Sequence, residues 1–143
     1  MPQAIQLSGQ AIQGFATAFG SASANATTTA TSSATATVLL TAGPADFAGG
    51  VYDVILQSPG VTKGTTNVSL ELWVDGVFNQ SIVASSVNAT AITPFYWSGR
   101  VSVVAGIHTF TVRGFVDAGT GTLTAGTGAT GAQPNATLTV KPG

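Results

Sequence analysis

Charge is what this chain has least of. Nine of its 143 side chains are formally charged, four basic and five acidic, and the net charge is -1. That is 6% of the chain, against about a quarter in an average soluble protein. Its cations are Lys63, Arg100, Arg113 and Lys141, too few to neutralise a run of phosphates, so nucleic acid is not expected as a partner. The basic cluster that an anionic membrane surface attracts is missing too. Cysteine is absent, which excludes disulfide frameworks and thiolate metal sites. No stretch approaches the about 20 continuous apolar residues of a membrane-spanning helix. The first eight residues lack the basic and apolar regions of a secretory signal, and none is expected.

Catalytic groups are equally scarce. The single histidine, His108, would have to serve any nucleophilic triad, and no Gly-x-Ser-x-Gly elbow accompanies it. It shares an apolar strand face with Phe110 and Val112, which favours a structural role over a catalytic one. Asp46, Asp53, Glu71, Asp75 and Asp117 do not cluster in sequence, so no zinc site and no carboxylate pair for glycoside hydrolysis is indicated. Calcium held by carboxylates from separate loops is the one metal reading left open. Residues 126–131 match G-x-G-x-x-G, but dinucleotide binding needs those glycines between a strand and a helix, and no helical pattern follows. No enzyme activity and no cofactor is expected.

What the chain does contain is alternation. Segments 35–41, 51–58, 68–74, 77–84, 95–104, 107–116, 120–125 and 135–140 read as eight strands, with apolar side chains at every second position. Val68, Leu70, Leu72 and Val74 form the clearest inward set. Asp75-Gly76 marks a type I′ hairpin turn. Gly43-Pro44 is expected to end the first of these strands, and Gly99 to mark a bulge or close approach. No helix pattern persists, so the fold class is all-β: an antiparallel, jelly-roll-like β-sandwich or closed barrel over 35–143.

Residues 1–34 look different. They carry no charge and are rich in Gly, Ser, Thr and Ala, with Ile5, Leu7, Ile12, Phe15 and Phe19 widely spaced. Such a segment cannot bury enough apolar surface to offset its own ordering. It is expected to be an extended arm outside the domain, ordered by lying on another subunit through those five residues.

The aromatic residues suggest a second burial surface. Trp73 falls on the face opposite Val68–Val74's apolar set, and Phe95 and Trp97 on the face opposite Tyr96. A sandwich strand normally shows solvent one polar face. Trp73, Phe95 and Trp97 are therefore expected at a subunit interface, whose core favours aromatics and avoids charge. A sugar-binding platform is the rival reading of the same Trp and Tyr residues, and a loop covering Trp73 is the plain one.

The order of Gly50-Val51-Tyr52, Leu70–Gly76, Ser98-Gly99-Arg100 through Val112 and a closing apolar strand 136–140 resembles the C1q/TNF-like jelly roll. The resemblance covers about residues 35–141 and implies compact trimers, with no catalytic residues. It also implies the setting in which bacteriophages use such modules, as head decoration proteins and fibre tips. The expectation is a trimeric capsid decoration (cement) protein that binds the major capsid protein on the outer surface of the virion, after synthesis in the host cytoplasm. The rivals are a receptor- or glycan-binding fibre tip and a subunit of an extracellular filament.

Overall fold

The computed structural model describes residues 17–63, 65–85, 94–128 and 131–143. The chain runs through β1 (Ala18–Ala22), β2 (Ala26–Thr28), a short 3-10 turn (Ser33–Thr35), β3 (Thr37–Phe47), β4 (Gly50–Ser58), β5 (Gly60–Thr62) and β6 (Val68–Val74). It continues through β7 (Val77–Ser85), β8 (Phe95–Val103), β9 (Gly106–Phe115), β10 (Gly121–Thr124), the two-residue strands β11 (Thr127–Gly128) and β12 (Gly131–Ala132), and β13 (Ala136–Pro142).

Two four-stranded antiparallel sheets face each other, in the orders β1-β13-β4-β8 and β3-β9-β6-β7. Among these eight strands the first pairs with the eighth, the second with the seventh, the third with the sixth and the fourth with the fifth. A single long hairpin rolled on itself gives that pattern, so the domain is a jelly-roll β-sandwich. A small third sheet, β2-β10-β5, closes one end.

Alternation explains the core. Val54 and Leu56 of β4 and Leu138 and Val140 of β13 are fully buried against Leu70 and Leu72 of β6 and Phe110 and Val112 of β9. Phe47 stands edge-on to Tyr52 at 4.9 Å and to Phe110 at 5.5 Å, a geometry that the ring quadrupoles favour. The β6–β7 hairpin turns at Asp75 and Gly76, both with positive φ (52° and 78°), as a type I′ turn requires.

Two expectations about β3 are corrected. Strict alternation over 35–41 puts Ala36, Val38 and Leu40 inward, yet Leu39 and Leu40 are both buried while Val38 is exposed. The register with β9 slips between Val38 and Leu40, and such a bulge puts two successive side chains on one face. A second slip between Ala42 and Ala45 absorbs Gly43-Pro44, so the strand passes through these residues and ends at Phe47.

The boundary at residue 34 is also corrected. Of the segment expected to be an external arm, β1 pairs with β13 from Ala18↔Val140 to Ala22↔Ala136, and β2 pairs with β10. The first of the eight sandwich strands is therefore β1, while the 120–125 strand belongs to the small sheet. The physical reason is side-chain size. Gly20 lies so close to β3 that a methyl group there would overlap the Thr41 carbonyl. A strand of Ala, Gly and Ser gives no hydrophobic alternation, but its small residues let two backbones approach, and the β13 ladder supplies the hydrogen bonds. Ile5, Leu7, Ile12 and Phe15 lie outside the described residues.

Candidate binding face

The outer face of the β1-β13-β4-β8 sheet carries a regular grid set by strand register. One row across it reads Ser21, Thr137, Gln57 and Tyr96; the next reads Phe19, Thr139, Ile55 and Ser98; a third aligns Lys141, Asp53 and Arg100. Phe19 and Tyr96 are 62% and 61% exposed, high values for large apolar side chains on a sheet.

Tyr96 divides two grooves. On one side a groove of about 650 Å³ is lined by Phe95, Tyr96, Pro94 and Pro59 with the amides of Gln57, Gln133 and Asn135. Its walls are held from beneath. The Ser58 hydroxyl, which is buried, lies 2.7 Å from the Gly60 carbonyl and 2.8 Å from the Thr124 carbonyl, and accepts from the Gly60 amide at 3.1 Å, fixing the corner that presents Pro59. Gly126 N–H donates to the Pro134 carbonyl at 3.0 Å and Gln133 N–H to the Gly126 carbonyl at 2.7 Å, which fixes the opposite wall. Asn135 Nδ2 donates to Ser21 Oγ at 3.0 Å. On the other side a groove of about 410 Å³ is lined by Tyr96, Ser98, Asp53, Arg100 and Lys141. Arg100 Nε donates to Asp53 Oδ1 at 3.2 Å.

Phe95 and Trp97 face the core side of their strand, Phe95 also reaching the edge of the groove. Both are half-buried and pack on the core, and Gly99 leaves the space that the Trp97 ring and Gln80 occupy. Gly99 is thus a close approach of side chains, with no bulge in the β4–β8 register. Once two alternate residues of β8 point inward, Tyr96 between them must point outward. The alternation of residues 95–97 in the sequence carries that signal.

Trp73 stands on the outer face of the other sheet, apart from the Tyr96 face. It is half-buried, its Nε1 donates to Glu71 Oε2 at 2.9 Å, Arg113 lies 4.2 Å over its ring and Phe78 meets it edge-on at 6.3 Å. Ser33 donates to the same Glu71 oxygen at 2.8 Å, so the chain just before β3 covers this spot. With its N–H committed and one ring face under a guanidinium, Trp73 works as a clasp within the subunit.

The histidine is fully engaged. Its Nε2 lies 2.8 Å from the Val104 carbonyl and its Nδ1 2.6 Å from Asp75 Oδ2. A carbonyl and a carboxylate both only accept, so this arrangement favours the doubly protonated ring. The hydrogen bond to Asp75, then that to Val104, raises the His108 pKa above its ordinary value. The hydrogen bond with His108 and the Thr109 amide lower that of Asp75. Among the described residues no three His, Cys, Asp or Glu side chains gather as metal ligands.

No family model matches the chain, and no curated protein does. Several solved structures are similar to it. A family 35 carbohydrate binding module from Clostridium thermocellum is 17% identical, with 80% of this chain and 86% of that one covered and a TM-score of 0.40. The family 35 module of Abf62 from Cellvibrio japonicus is 14% identical over 87% and 91%, at 0.45. Eiger TNF from S. frugiperda is 16% identical over 90% and 92%, at 0.46. The class of the protein, a jelly-roll β-sandwich, rests on the strand order of the chain itself.

Proposed function

We propose that the protein is a carbohydrate-binding jelly-roll module that acts by recognition and not by catalysis, the receptor- or glycan-binding part of a phage fibre or head. The observation that carries this reading is Tyr96, an aromatic side chain 61% exposed on a sheet face, at the lip of a groove whose polar groups are amides. An exposed ring offers a flat apolar platform to the C–H face of a sugar. Each neighbouring amide both donates and accepts, as sugar hydroxyls require. A few convergent polar groups in an apolar cleft are the usual form of a small-ligand site. A glycan array probed with labelled protein tests this. Binding to a defined oligosaccharide, lost in Tyr96→Ala with melting unchanged, supports the reading; an array silent for the wild-type chain refutes it.

A second reading is favoured by Phe19, which is exposed on the same sheet face beside Thr139 and Ile55. Here the protein is a homotrimeric capsid decoration protein, bound to the major capsid protein, and this face packs against a neighbouring copy. Sedimentation separates the two: a trimer that Phe19→Ser converts to monomer supports decoration.

A further inference from the structure

Lys141, Asp53 and Arg100 stand side by side on β13, β4 and β8. In a chain with four basic side chains, two of them flank one acid in a single groove beside Tyr96. Arg100 meets Asp53 only through Nε, its side chain is 74% exposed, and its two terminal nitrogens have no partner among the described residues. Lys141 makes no ion pair among those residues. Asp53 thus orients the guanidinium and leaves its outer fork open.

We infer that this groove takes the carboxylate of an acidic sugar residue, while the Tyr96 groove takes the neutral part of the same oligosaccharide. The inference rests on the carbohydrate reading above and names the class of sugar. A planar guanidinium fork matches a carboxylate in two parallel hydrogen bonds, and Lys141 adds a point charge from across the groove. Tyr96 and Arg100 lie four residues apart on one strand face, about 13 Å at about 3.3 Å per residue, so the ligand is an oligosaccharide. The acidic side chain lining this groove is Asp53, and it is already engaged by Arg100.

The test uses the full chain on an array of uronic- and sialic-acid oligosaccharides, each beside its methyl ester, followed by titration of the best pair. The acid form should bind about tenfold more tightly than its ester, the gain expected of one charge-assisted hydrogen bond. Arg100→Gln and Lys141→Gln should each reduce that ratio and leave ester binding intact. Lys141→Gln is the cleaner variant, since it breaks no ion pair among the described residues. Equal binding of acid and ester, or a ratio unchanged in both variants, overturns the inference and leaves the carbohydrate reading standing. No binding of either form to the wild-type chain overturns the inference, and silence on neutral glycans as well overturns the carbohydrate reading with it.

Discussion

Gly20→Ala is the sharpest perturbation of the fold. The added methyl would overlap the carbonyl of Thr41 on β3, and a backbone group cannot swing aside as a side-chain tip can. Relief requires β1 to move off β3 while it is held by β13 from Ala18↔Val140 to Ala22↔Ala136. Overpacking costs about 1–3 kcal/mol, and a rigid obstacle places this case at the upper end, about 3 kcal/mol. Unfolding entropy of about 2.1 cal/mol/K per residue amounts to about 0.3 kcal/mol/K for a chain of this length, so Tm should fall by about 10 °C. Urea titration with a thermal melt reads both quantities, and Ile107→Ala, at an exposed position, serves as the control with a change below about 0.5 kcal/mol. If Gly20→Ala matches that control, β1 is not part of the sandwich and the segment before residue 35 is the external arm that composition alone suggests.

Three further outcomes follow from named contacts. Leu72→Ala empties a fully buried site and should cost about 2–5 kcal/mol by denaturant titration; a loss under about 1 kcal/mol would contradict the assigned inward face. The His108–Asp75 pair stabilises the fold with the ring protonated. Because the His108 pKa is raised, its contribution is complete below the ordinary value of 6.5 and disappears as pH rises through the folded value. Asp75→Asn should flatten stability over that window, and an unchanged pH profile would refute the pairing. Asp117 accepts from the Thr66 hydroxyl and then from the Thr66 and Asn67 amides, and these bonds, the hydroxyl's above all, hold its carboxyl far below the usual range. Its contribution is present above the unfolded carboxylate range and lost as pH falls toward the folded value, so Asp117→Asn should remove part of the acid sensitivity seen in melts below about pH 4.

Sequence reveals those parts of this fold in which side-chain bulk alternates. The 68–74 strand is found at Val68–Val74 with its inward face as read, and the Asp75-Gly76 turn has the expected geometry. Where bulk is absent or the register slips, sequence is silent or misleading. β1 is built from small residues whose contribution is close backbone approach, and Leu39 reaches the core only through a bulge. The candidate face was barely legible for a related reason. Tyr96, Gln57 and Asn135 come from three separate strands or loops, and Lys141, Asp53 and Arg100 meet only through the register of β13, β4 and β8. Trp73, expected at a subunit interface, meets Glu71, Arg113 and Phe78 within its own subunit, contacts that come from three strands and that sequence spacing does not show.

Amide chemical-shift mapping with a bound oligosaccharide tests the carbohydrate reading most directly. The shifts should concentrate at Gln57, Tyr96, Ser98, Asn135 and Thr137, and vanish in Tyr96→Ala while the β-sheet spectrum persists. Shifts centred on Trp73, Phe78 and Arg113, or a spectrum that no glycan moves, would contradict it.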